Sequence, residues 1–178
     1  MLFFITTTIY IAMDILNLST DWAKAEVFSA KMVALISLHF FLVALGFWLF
    51  GKTAMAKAFV WPLLVSGVLL ISIAAGLYFT NKPRIVSFET AYKNNSDEFI
   101  KSELARTEKS QNDLATIVFI ILPIIIIVAA LVSMVVSTPV WRAIGITTIA
   151  LMACLMFIDS NTASRNSDYH QELLNLNK

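Results

Sequence analysis

His39 is the one ionisable side chain placed well inside a long apolar run of this chain, residues 32–50. An ionisable group in such a setting is a candidate proton relay or haem or metal ligand. Either chemistry wants a partner. The second histidine, His170, falls in a polar tail, and no other apolar run holds a His, Asp or Glu. His39 is therefore expected to be structural, a neutral imidazole hydrogen-bonded across helices. The other ionisable residues whose placement suggests a site lie just outside the apolar runs. Arg84, Glu89, Glu103, Arg106, Asp159 and Arg165 border those runs on one side, and they make a candidate cluster for an inter-helix ion pair or for partner contact. Asp159 ends the last run where Arg84 leaves the second and Arg106 precedes the third. A carboxylate–guanidinium pair involving Asp159 is expected there, because charge-assisted bidentate bonds impose geometry as well as energy. The lone Cys154 sits in an apolar run, so it offers neither a disulfide framework nor a Cys-x-x-Cys redox pair. With no catalytic, nucleotide or metal motif present, the chain is read as non-catalytic and without a cofactor.

The elements that must position these residues are four apolar runs, 32–50, 59–80, 114–136 and 143–158, which contain none of the 13 Lys and Arg or 12 Asp and Glu. About 20 apolar residues is the length that crosses a bilayer core as a helix. The expectation is one all-α membrane domain over 1–178, an antiparallel four-helix bundle with the bilayer as its first partner. A net charge of +1 without a basic stripe argues against nucleic acid. Residues 1–18 are expected to form a separate short apolar helix lying against the bundle or partly inserted, since no Lys or Arg precedes them and no small-x-small cleavage site follows. Met13 is an alternative start. Ser19, Thr20 and Asp21 read as a helix N-cap leading into the first span.

The connection 51–58 returns the second span beside the first, Pro62 fits a first helical turn, and Asn81-Lys82-Pro83 is expected to stop that helix. The polar insert 81–113 should hold two helical pieces hinged at Asn94-Asn95-Ser96, with Asp97 and Lys101, and Glu103 and Arg106, spaced to pair. Phe99, Ile100 and Leu104 give it a narrow apolar stripe, which leaves open a water-facing stalk or a docking surface. From 97 to 136 one rod is expected, kinked at Pro123. Small residues four apart, Ser72 with Gly76, Ala129 with Ser133 and Ala150 with Cys154, suit close helix packing or an oligomer contact. Residues 159–178 form a polar tail. Ten Lys and Arg, in 19–31, 81–113 and the tail, face Lys52, Lys57 and Arg142 on the other side, which puts the insert and tail in the cytoplasm.

Trp22-Ala-Lys-Ala-Glu-Val-Phe-Ser, Gly76-Leu-Tyr-Phe-Thr-Asn-Lys-Pro-Arg, the run from Phe99 to Lys109 (Phe-x-x-x-Glu-x-x-Arg-x-Glu-Lys), Trp141-Arg-Ala-Ile-Gly-Ile-Thr-Thr-Ile-Ala and Asp159-x5-Arg165-x3-Tyr169 stand in this order. On these stretches the chain, from about Met13 to Leu174, resembles a family of uncharacterised small bacterial inner-membrane proteins of Bacteroidetes type. The resemblance implies four helices with a charged helical insert between the second and third, and no activity. The residues favour an accessory or scaffold subunit that binds a protein partner, or a second copy, through 84–113 and the tail. An immunity protein against a membrane-acting toxin is an alternative. So is a small transporter or sensor, for which only His39, Ser37, Ser66, Ser72 and Pro123 could line a path.

Overall fold

A computed structural model describes the backbone of residues 2–176 and the side chains of residues 13–176; the last two residues of the expected tail lie outside them. Nearly all of the described chain is helical, in seven α-helices: α1 Leu2–Phe50, α2 Ala54–Ala58, α3 Val60–Asn81, α4 Arg84–Asn94, α5 Ser96–Thr116, α6 Leu122–Val135 and α7 Pro139–Leu176. They make four rods, and each contains a stretch long and apolar enough to cross a membrane. The expected hinge at Asn95 is present: its backbone is extended and its side chain accepts from Glu98 N–H, capping α5. At 1.5 Å per residue a rod of about 40 residues is about 60 Å long, twice the thickness of a bilayer core. Each rod therefore has an apolar half and a polar half.

Three expected boundaries are not breaks. Residues 1–18 are not a separate helix, because α1 runs without interruption from Leu2 to Phe50. Ser19 and Thr20 do not cap a helix: their hydroxyls bond back to the carbonyls of Ile15 and Leu16, at 2.8 and 2.7 Å, which satisfies them inside a helix. The buried residues Ile15, Ser19, Trp22, Glu26, Ala30, Val33, Ser37, Phe40 and Ala44 follow one another at steps of three and four, so a single stripe crosses both halves of α1. Asn81-Lys82-Pro83 interrupts the helical hydrogen bonds without turning the chain aside. Lys82 and Pro83 keep right-handed helical dihedrals, and Ser87 N–H bonds the Pro83 carbonyl at 3.0 Å.

The rod expected over 97–136 is found as Ser96–Val135. Pro123 lacks the N–H that would bond the carbonyl four residues earlier, and a single π-helical turn, Ile117–Ile121, precedes it, in which Leu122 N–H bonds the Ile117 carbonyl.

The two halves pack differently. In the polar half α1, α4, α5 and α7 close a ring, with α1 against α4 and α7, and α5 against α4 and α7. Its core is Ile15, Trp22, Phe88, Phe99, Tyr169 and Leu173 with their neighbours. In the apolar half α7 is shared: it packs against α6 and against α3, and its Leu151 joins the core of Val33, Phe40 and Leu70 that α1 and α3 form. α1 packs along α3, where Ser37 Oγ donates to the Gly67 carbonyl at 2.8 Å, and a Cβ added at Gly67 would meet the Phe41 ring at 2.8 Å. α6 packs along α7, where a Cβ added at Gly145 would stand 2.8 Å from the Ala129 carbonyl oxygen, with Ser133 beside it. Of the three small-residue pairs, Ala129 and Ser133 thus seat a close helix crossing. Gly76 has nothing within 4 Å of such a Cβ. No Cα of α3 comes within 8 Å of the 96–135 rod. α3 and α6 are thus parted below the polar ring, with α7 packed against both.

Candidate functional site

At the floor of the polar ring, where α3, α5 and α7 meet its base, lies a cleft of about 290 Å³. α1 contributes Trp22 and Glu26, and α3 with the start of α4 contributes Gly76, Leu77, Thr80, Asn81 and Arg84. α5 supplies Arg106, Ser110 and Leu114, and α7 supplies Asp159, Thr162 and Asn166. The cleft therefore brings together three of the six expected cluster residues, Arg84, Arg106 and Asp159, together with Glu26, which holds a fourth, Arg165.

Two ion pairs build the wall. Glu103 and Arg106, spaced three apart on α5, form the bidentate pair that their spacing allows, at 2.9 and 2.7 Å. Both Glu103 and its neighbour Thr107 are buried. Arg165 of α7 reaches across to α1, donating to Glu26 Oε1 at 2.9 Å and to Ser29 Oγ at 2.8 Å. The expected inter-helix carboxylate–guanidinium pair thus exists, but its carboxylate is Glu26. Asp159 accepts no hydrogen bond and joins no ion pair among the described residues, because Arg165, six residues further on, turns toward α1. Glu89 is outside the site; it pairs with Lys93 one turn along on an exposed face.

Trp22 and Tyr169 stack at 5.4 Å between ring centroids, and the Arg106 guanidinium lies 4.0 Å from the Trp22 centroid, a cation–π distance. The Tyr169 hydroxyl is 2.9 Å from both Glu103 Oε2 and Ser19 Oγ. Its one proton goes to the charged oxygen, which leaves the Ser19 hydroxyl to donate to Tyr169 or to the Ile15 carbonyl. Tyr169 lies well beyond the apolar run 143–158. Burial, and then the adjacent Glu103 charge, raise its pKa above the ordinary tyrosine range. His170 Nδ1 sits 2.6 Å from Thr107 Oγ1, and Asn166 Nδ2 donates to the Thr107 carbonyl at 2.8 Å.

Unused polar capacity remains in the cleft. Arg84, beyond the run 59–80, donates only to Asn81 Oδ1, at 2.8 Å, and no carboxylate is within ion-pair distance among the described residues. Burial, and then the Arg106 guanidinium, lower its pKa from the ordinary arginine value, though a guanidinium stays charged at any physiological pH. Trp22 Nε1 and Asn166 Oδ1 are buried with no hydrogen-bond partner. The Asn166 amide cannot flip to mend this, since its nitrogen is committed to the Thr107 carbonyl. A buried polar group without a partner points to a missing water, ion or ligand.

His39 is on an outward face of α1, its Nδ1 2.9 Å from the Leu35 carbonyl of its own helix. The expected hydrogen bond across helices is not formed, because the i−4 carbonyl is within reach of the ring and no facing helix is. Among the described residues no group of three or more His, Cys, Asp or Glu could hold a metal ion. A larger apolar groove, about 560 Å³ between Phe41, Trp48, Val60 and Trp61, has no charged side chain to orient a ligand.

Glu26, Trp22, Thr107, Asn166 and Tyr169 were not singled out from the sequence as site residues. The signal that could have found Glu26 is its position in the α1 stripe, where a carboxylate among apolar and small residues calls for a partner. No family model matches the chain, and no curated protein or solved structure is significantly similar to it.

Proposed function

We propose that this is a non-catalytic, multi-pass protein of the bacterial inner membrane, an antiparallel four-helix bundle that receives an amphiphilic lipid in the cleft beneath its polar ring. The carrying observation is the coincidence of the cleft with the polar–apolar boundary, on the molecule whose α3 and α6 do not touch. A lipid seated there has a charged pocket for its headgroup and the exposed apolar side chains of α3 and α6 for its chains. The four apolar stretches support insertion. So do the outward-facing Leu42, Leu45, Val68, Ile127, Val128 and Leu131, which form a surface too apolar for water. The ten-to-three Lys and Arg asymmetry supports a cytoplasmic polar ring.

A protein partner on the insert is the second reading. Lys101, Glu108, Lys109 and Asp113 leave an exposed polar strip on α5 that a partner could use. The insert's apolar residues Phe99 and Ile100 are buried in the molecule's own core, however. They are not available for docking, which shifts the weight from the outer face to the cleft.

The test is to purify the protein in mild detergent and measure phospholipid phosphorus per polypeptide. Gly76→Leu projects a side chain into the mouth of the cleft, where nothing stands within 4 Å, and Gly46→Leu meets equally open space elsewhere. Retained lipid should fall in the first variant and stay at the wild-type level in the second. Equal retention in both variants would overturn the reading.

A further inference from the structure

We infer that the lipid is zwitterionic, with a phosphate and a primary ammonium, the chemistry of phosphatidylethanolamine, its phosphate on Arg84 and its ammonium on Asp159. The inference rests on the proposed lipid reading. The cleft carries one unspent cation and one unspent anion. Among the described residues Arg84 has no carboxylate partner, Asp159 has no donor, and no ion pair joins the two although both line the cleft.

Spare hydrogen-bonding capacity divides in the same sense. Trp22 and Asn166 line the cleft, and each has one unpartnered polar atom closed to solvent as the side chains stand: Trp22 Nε1 is a donor of the kind a phosphate oxygen takes, and Asn166 Oδ1 an acceptor of the kind an N–H takes, once a small side-chain movement opens them. An anionic headgroup with no ammonium would leave Asp159 uncompensated and add a like charge to it. A quaternary ammonium has no N–H to give to Asp159 or Asn166. It is recognised instead by an open aromatic cage. Trp22 is the one aromatic side chain lining the cleft, and the Arg106 guanidinium already occupies its ring at 4.0 Å. The other charges of the wall are spent, Glu103 on Arg106 and Glu26 on Arg165. Leu77 of α3 and Leu114 of α5 are the leucines of the lining, and acyl chains would leave the cleft along them.

The full-length protein, reconstituted in nanodiscs with equal parts phosphatidylethanolamine, phosphatidylglycerol and phosphatidylcholine, is released for native mass spectrometry. The ethanolamine lipid should be retained over each of the others by about tenfold, the worth of one hydrogen bond to a charged group. Asp159→Asn should bring the preference over phosphatidylglycerol close to unity while total bound lipid stays near wild type, and Asp159→Glu should restore it. Arg84→Gln should lower all three phospholipids together. Unchanged ethanolamine preference in Asp159→Asn overturns the zwitterion assignment. If Gly76→Leu still empties the cleft in that case, the lipid reading survives it; if Gly76→Leu retains lipid, both fall. Soluble phosphoethanolamine that displaces the lipid at comparable concentration would make the occupant a water-borne headgroup and overturn the assignment to a lipid.

Discussion

The Glu26–Arg165 pair joins helices 139 positions apart in sequence, and its two partners differ in their access to water. The Glu26 side chain is 3% exposed and that of Arg165 is 32% exposed. Arg165→Met strands a carboxylate in the core of the polar ring, and removing one partner of a buried pair costs about 3–5 kcal/mol. Glu26→Met leaves a guanidinium that keeps Ser29 and Thr162 and reaches solvent, so the loss should be closer to that of one hydrogen bond to a charged group, about 1.5–3 kcal/mol. The double variant buries two apolar chains of similar length and should come within about 1 kcal/mol of wild type, since apolar replacement of a buried pair is often neutral. The order Arg165→Met, then Glu26→Met, then the pair is the prediction. Reversible unfolding in mixed micelles on titration with dodecyl sulfate, followed by tryptophan fluorescence, measures all four corners of the cycle. Equal losses in the single variants, or a double variant whose loss is their sum, would refute the account of this pair as a buried, mutually compensating clasp.

Tyr169 gives a pH signature in the same ring. Its folded pKa is raised, so the stability it contributes is present below the ordinary tyrosine pKa of about 10 and is lost as pH rises above that value toward the folded pKa. Tyr169→Phe should cost about 1–3 kcal/mol at neutral pH, because Glu103 and Ser19 lose a partner, and should flatten the stability–pH curve above pH ~10 relative to wild type; a parallel slope in the two proteins would contradict this. For orientation, maleimide labelling of cells with Cys154→Ser and either Asn95→Cys or Ala54→Cys should show position 95 protected and position 54 accessible from outside, and the opposite pattern would invert the assignment.

The parts of the architecture that follow from local physics were legible in the sequence. Uncharged runs of about 20 residues gave the four apolar stretches, and Asn95 with Ser96 gave the hinge, because length, hydropathy and capping are properties of neighbouring residues. The Ser19-Thr20-Asp21 triplet misled because the same hydroxyls that cap a helix start can bond the i−4 carbonyl inside one. Pro83 misled likewise: a proline ends a hydrogen-bond ladder, but helical dihedrals on both sides let the rod continue. The site was half legible. Arg84, Arg106 and Asp159 do meet at one level, as their positions at the ends of the apolar runs required. Which carboxylate each guanidinium takes depends on the rotation of α1 and α7 about their axes, and nothing local to Arg165 says that Glu26, rather than Asp159, lies in front of it.

The way α7 is shared has a mechanical consequence. α3 and α6 do not touch each other; both lean on α7, which carries Leu151 into the core that α1 and α3 form. The same helix runs on without a break into the polar ring, where Asp159, Arg165, Asn166 and Tyr169 lie along it. α7 is thus the mast of the molecule: a small turn about its axis would move the cleft and the seats of α3 and α6 together, so whatever sits between Arg84 and Asp159 bears on the packing of the whole apolar half.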